Sequence, residues 1–127
     1  MTLEALTAVD IDVTYSEHEA VVTLHRELDL ETRPDLEAAF VRLADRDLIV
    51  VDLADVTFID VSNIGLIQGV WRLARSRGAD LVLRSPRPHV SRILELTCLG
   101  PMPGSPEIVR PIVLPLPASA YERRTAV

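Results

Sequence analysis

The feature that most constrains this chain is a change of hydrophobic period near its middle. Leu48 to Leu53 is a β-branched-rich apolar run of strand length, whereas from Ile64 onward the apolar residues recur at helical spacing. A buried strand must therefore hand over to a helix through a loop that contains Asp60 and ends on Ser62. A serine there can accept hydrogen bonds from the free backbone N–H groups of the first helical turn, and its hydroxyl also faces outward, within a partner's reach. Taken alone, the capping role is favoured, because Ser, Thr, Asp and Asn are the ordinary residues at a helix start. The surrounding pattern decides whether Ser62 is more than a cap.

Upstream, Asp12 to Ser16 and Ala20 to Glu27 alternate well enough for two strands joined by the polar turn Glu17-His18-Glu19, an antiparallel hairpin. Val22, Leu24 and Arg26 point one way and Val21, Thr23, His25 and Glu27 the other, so the alternation leaves the inward face open. Thr32-Arg33-Pro34-Asp35 opens a helix with a threonine cap, a first-turn proline and an acid three positions on. Leu36, Ala39, Phe40, Leu43 and Ala44 follow as one stripe. A crossover helix of this kind is what parallel pairing between the hairpin and the central strand requires.

The second helix runs from Ile64 to about Arg77, with Ile67, Val70, Trp71 and Ala74 on one stripe, Leu66 and Leu73 beside it, and Gly78 at its end. Gln68, Arg72 and Arg75 fall on the wetter side, available to a partner, while Gly65 and Gly69 leave room for a close neighbour. Asp80 to Ser85 is another strand, and Val90, Ile93, Leu94 and Thr97 form a third helical stripe. Met1 to Val9 is a loose arm or a short edge strand. Residues 101–127 are proline-rich, and within them Ile108 to Leu114 can add only an edge strand because of Pro111.

Length and charge narrow the function classes. A chain of 127 residues is expected to form one domain with one core. A formal net charge of −6 argues against a nucleic-acid binder, which needs a basic surface to neutralise phosphates. Every cationic side chain outside the histidines is arginine, a residue suited to bidentate contacts at an interface. The single cysteine, Cys98, excludes an intramolecular disulfide and reads as a buried thiol in a reducing compartment. With no secretory pattern in the first twenty residues and no apolar run of bilayer length, a cytoplasmic protein without membrane insertion is expected.

Catalysis is not expected. His18, His25 and His89 lack metal-ligand spacing, Cys98 has no neighbouring histidine, and Asp60 to Gly65 lacks the lysine and glycines of a phosphate-binding loop. No cofactor is implied.

Three short motifs stand in a telling order: Glu27-Leu28-Asp29, then Asp60-Val61-Ser62-Asn63-Ile64-Gly65, then Glu95-Leu96-Thr97-Cys98-Leu99. Together with Trp71 to Leu83, they resemble the STAS domain of anti-sigma-factor antagonists, whose corresponding wordings are G-E-L-D, D-S-S-G-L-G and E-L-T-G-L. The resemblance covers about residues 10 to 100 and implies an α/β fold. That fold is a single STAS-like domain within residues 1–100, a four- or five-stranded mixed sheet with helices packed mainly on one side. It further implies partner switching: the unmodified form binds an anti-sigma factor that is also a serine kinase, and a serine phosphatase resets the cycle. Ser62 would be the phosphoacceptor, Asp60 its acidic neighbour and Asp29 a contributor to binding, with Asn63, Gln68 and Arg72 completing the partner-facing set. The departures are Arg26, Val61 and Asn63, which replace glycine, serine and glycine of the family wording. They keep two alternatives open: a constitutive interaction module of a stressosome or lipid-transport assembly, and a small-ligand or nucleotide-binding domain, which would need an apolar pocket with polar anchors near the strand-to-helix loop. Partner identity and oligomeric state are not written in the sequence.

Overall fold

The structure, a computed structural model, describes residues 4–8, 10–97 and 107–109. In chain order the elements are β1 (Glu4–Ala8), β2 (Ile11–Tyr15), β3 (Glu19–Leu28), α1 (Arg33–Arg42), β4 (Leu48–Ile59), α2 (Val61–Ser76), β5 (Asp80–Arg84), α3 (Pro88–Thr97) and β6 (Glu107–Val109). The strands lie side by side in sequence order. β2 and β3 form the expected hairpin, and β3, β4 and β5 run parallel, each step crossing over through a helix. These four strands make the mixed sheet. Short β1 and β6 extend its two edges, so the described residues form six strands in all. Residues 110–114 of the expected edge strand, and Cys98, lie outside the described residues.

The inward face belongs to Val22 and Leu24. With Ile11, Val13, Ile49, Val51, Leu53, Leu81 and Leu83 they meet Leu36 and Phe40 of α1, Ile64, Ile67 and Trp71 of α2, and Val90 and Leu94 of α3. The core is thus mainly aliphatic, with Phe40 and Trp71 as its aromatic members, and the helices cover one side of the sheet. The opposite face holds a separate apolar cluster of Val21, Leu48, Val50 and Val82, to which no helix contributes. Beside it, Asp52 accepts a 2.7 Å hydrogen bond from Arg84 Nε, a mostly buried ion pair joining β4 to β5. In α1 the expected stripe holds for Leu36, Phe40 and the following Leu43, while Ala44 is exposed. In α2, Leu73 is 69% exposed rather than packed.

Three local expectations are corrected. First, the central strand continues past Leu53 to Ile59. Thr23 faces Asp52 but His25 faces Asp55, and Arg26 faces Val56 but Glu27 faces Phe58, so β4 twice inserts an extra residue against β3. Each such bulge resets the side-chain alternation, which lets Leu53, Val56 and Ile59 all point inward at a spacing of three that does not read as a strand. Arg26, at this irregularity, takes a positive φ of 61°, a conformation that the glycine of the family wording adopts without strain.

Second, α2 begins at Val61, and its cap is Asp60, not Ser62. Asp60 has extended backbone (φ −86°, ψ 165°) and its carboxylate accepts from the backbone N–H of Asn63, leaving Ser62 inside the first turn. Third, Thr32 makes no side-chain cap bond. Its hydroxyl donates instead to the Glu27 carbonyl at 3.3 Å and to Asp29 Oδ1 at 3.2 Å. The two glycines of α2 have no described residue within 4 Å of where a Cβ would stand, so none of the described neighbours uses the space they leave.

Candidate functional site

The parallel strands β3 and β4 end side by side, with Leu28 opposite Ile59, so the loops leaving them are adjacent. The Asp60 N–H donates to the Leu28 carbonyl at 2.9 Å and carries the pairing one residue beyond the strands. On the β3 side, Asp29 Oδ1 accepts from the N–H groups of Glu31 (3.0 Å) and Thr32 (3.2 Å), a turn closed by a carboxylate. On the β4 side, Asp60 Oδ1 accepts from both the backbone N–H and the side-chain amide of Asn63, each at 2.9 Å.

Asn63 joins the two loops. Its Nδ2 also donates to the Asp29 carbonyl at 2.8 Å, and since both Nδ2 partners are acceptors, the amide nitrogen must face them. The side chain is completely buried. Expected as a partner-facing residue, Asn63 is therefore an internal strut, and an incoming protein would meet its neighbours instead.

Ser62 is half-buried on the outer side of the first turn of α2. Its Oγ accepts a 2.8 Å hydrogen bond from a terminal guanidinium nitrogen of Arg33, the first residue of α1, which also lies 3.9 Å from Glu37. Asp60 claims the N–H of Asn63, and the Ile64 N–H is bonded to the Asp60 carbonyl, so the N–H groups of Val61 and Ser62 are the first-turn donors that neither the cap nor the helix ladder uses.

Around this constellation the surface is acidic and partly apolar. An open cleft of about 550 Å³ is lined by Asp10, Glu27, Asp29, Glu31, Asp35 and Asp55, with Arg26 among them. Leu30 is 70% exposed, Val61 66% and Phe58 44%. Leu30 and Val61 adjoin Asp29, Asp60 and Ser62 in the chain, so large apolar side chains and carboxylates share one rim. Gln68 and Arg72 do not join it. They lie six and ten residues beyond Ser62, roughly 9 and 15 Å along the helix axis and turned to other faces. Leu30, Val61 and Arg33 also stand at this constellation, outside the set that the sequence motifs point to. An apolar residue between Asp29 and Glu31 was a signal for Leu30, but nothing local could announce a contact between Arg33 and Ser62.

At the far edge of the cleft His25 bridges two strands, lying 2.9 Å from Asp12 of β2 and 2.7 Å from Asp55 of β4. The hydrogen bond to Asp55, helped by Asp12 and opposed by partial burial, raises the His25 pKa above its ordinary 6.5. The Asp55 pKa is lowered in turn, chiefly by the same bond.

Among the described residues the cleft beside the strand-to-helix loop is open and acidic, unlike an apolar ligand site with a few polar anchors. The apolar groove, about 220 Å³, lies elsewhere, between α1 and α2, along Phe40, Val41, Leu66, Val70 and Leu73. Among the described residues no group of histidines, cysteines and carboxylates is arranged to hold a metal ion, and no described helix is long and apolar enough to cross a membrane.

The family model for "Mlab, STAS domain" matches residues 11–104, from the start of β2 through α3. The chain belongs to the STAS-domain family. Among curated relatives, this STAS domain is 25% identical over 92 residues to the anti-sigma-B factor antagonist of Bacillus subtilis (strain 168), covering 72% of this chain and 84% of that protein. Its fold is that of SpoIIAA, an anti-sigma factor antagonist. The unphosphorylated form superposes with a TM-score of 0.71 at 18% identity, over 99% of this chain and 98% of that one. The phosphorylated form, from Bacillus, gives 0.65 at 17% identity, over 97% and 99%. A SulP transporter STAS domain from Vibrio cholerae shares the fold at 0.56 and 15% identity, over 89% and 88%.

Proposed function

We propose that this STAS domain is a cytoplasmic anti-sigma factor antagonist that docks through the rim formed by Asp29, Leu30, Asp60, Val61 and Ser62, and that phosphorylation of Ser62 releases the partner. The observation that carries this reading is the position of the Ser62 hydroxyl. It stands half-buried on a helix start, hydrogen-bonded to Arg33 and flanked in the chain by the exposed Val61 and the Asp60 cap. Exposed apolar anchors ringed by charge are the ordinary make-up of a protein-binding patch.

The switch is electrostatic. A partner that is both anti-sigma factor and serine kinase brings ATP to the docked rim. Ser62 Oγ attacks the γ-phosphorus, the bond from that phosphorus to the β-phosphate's bridging oxygen breaks, ADP leaves with the electron pair, and the hydroxyl proton passes to a base of the kinase. The product carries about 1.5 to 2 extra negative charges at neutral pH. Next to Asp60 and the acidic cleft, that charge repels any acidic or apolar surface fitted to a bare hydroxyl. The Asp60 cap and the Asn63 strut lie inward of Ser62, so the fold does not depend on its modification state. A phosphatase restores the hydroxyl by hydrolysis, with water's oxygen bonding to phosphorus and inorganic phosphate departing.

The test is intact-protein mass after incubation with the candidate anti-sigma kinase and ATP, with Ser62→Ala alongside. A single phosphoryl gain, absent in the variant, is expected. Stable binding without any gain would instead assign a constitutive antagonist, and neither binding nor gain would place the domain in another STAS assembly.

A further inference from the structure

We propose that Arg33 is a positioning residue of the Ser62 switch: it holds the bare hydroxyl for transfer and then grips the phosphoryl group. This inference rests on Ser62 being the modified residue. In the unmodified protein the Arg33 guanidinium donates to Ser62 Oγ at 2.8 Å, so the serine oxygen is used as an acceptor and this bond does not occupy its own proton. After transfer, phosphorus is bonded directly to the atom that Arg33 already touches, and the terminal phosphoryl oxygens lie two bonds from it. A guanidinium presents five N–H donors in a planar fork that matches phosphate oxygens, so it can follow the group outward without leaving it.

The neighbours favour the same placement. Asp60, on the strand side of Ser62, is held in place by Asn63 and repels the phosphate. The competing carboxylate, Glu37, lies 3.9 Å from Arg33 Nε and is 57% exposed, a weaker partner than a dianion in direct hydrogen-bond contact. Arg72, by helical geometry about 15 Å further along α2, is out of reach. The modified side chain is therefore fixed toward α1, neutralised on that side and left bare toward the acidic cleft, where its charge meets a docked partner.

The test uses the chain with phosphoserine placed at position 62 during translation, so that it is read independently of any kinase; the mass measurement decides separately whether a kinase modifies Ser62. The second ionisation of the phosphate is followed by ³¹P NMR through a pH titration. With Arg33 present it is expected below the ordinary value of about 6. Arg33→Ala should move it up by about half a unit or more, Arg33→Lys should recover part of the shift, and Arg42→Ala, which removes the same charge from the far end of α1, should leave it in place. Coincident titrations of the parent and Arg33→Ala, or an equal displacement by Arg42→Ala, would overturn the proposal.

Discussion

Asn63 Nδ2 and the Asp29 carbonyl, 34 residues apart in the chain, share a 2.8 Å hydrogen bond that holds the β3–α1 loop against the start of α2. Because Asn63 is fully buried, removing its amide deletes two hydrogen bonds, to the Asp29 carbonyl and to Asp60 Oδ1, which keep only the N–H groups of Thr32 and of residue 63. Asn63→Ala should cost about 1–3 kcal/mol of unfolding free energy in denaturant titration. Losses below about 0.5 kcal/mol would mean that the two loops hold together without the strut.

The capping assignment is tested by a contrast. Asp60→Ala removes the side chain that satisfies the Asn63 N–H and should lower stability by about 1 kcal/mol. Ser62→Ala removes only a half-buried hydroxyl bonded to Arg33 and should cost less than about half as much. Thermal melts of the two variants side by side decide it, and equal losses would return the cap to Ser62.

His25 makes stability pH-dependent in a defined direction. Its folded pKa is raised above 6.5 by the bonds to Asp55 and Asp12, so its contribution is complete below 6.5 and disappears as pH rises through the folded value. The lowered Asp55 pKa acts in the opposite sense at the acid end, where its contribution is lost only as pH falls below the ordinary 3.8 toward the folded value. The melting temperature should therefore decline from pH 6 to pH 8, and His25→Gln should flatten that decline. A variant with the parent's slope would show that other groups set it.

Leu30 and Val61 are predicted anchors for the partner. Each is at least 66% exposed, so truncation removes little internal packing. Leu30→Ala and Val61→Ala should leave the melting temperature within a degree or two while weakening anti-sigma factor binding about tenfold or more each, roughly 1.4 kcal/mol. Isothermal titration calorimetry measures this, and unchanged affinity in both would move the docking surface away from this rim.

Gly69 offers a gain. No described residue stands within 4 Å of an added Cβ and its φ is not positive, so Gly69→Ala should raise stability by about 0.5–1 kcal/mol through helix propensity alone. A loss in denaturant titration would reveal packing at that position.

Much of this protein was written locally. The shift from strand period to helical period around Asp60, the β2–β3 hairpin and the aliphatic stripes of α1, α2 and α3 all follow from side-chain spacing, because burial of one face imposes its period on the residues that supply it. The second half of β4 escaped that logic, since two bulges against β3 turned its inward positions to a spacing of three. Ser62 was likewise visible as a hydroxyl at a helix start, but which of Asp60 and Ser62 capped the helix depended on where the strand stopped. What only packing could decide is the set of contacts between loops: Asn63 to Asp29, Arg33 to Ser62, and His25 between Asp12 and Asp55. Each joins residues at least 13 positions apart that meet because β2, β3 and β4 pair side by side. Periodicity reports which side of an element is buried, but not which side chain of another element lies within hydrogen-bonding distance. At this site that distance separates a buried strut from a half-buried serine held by an arginine.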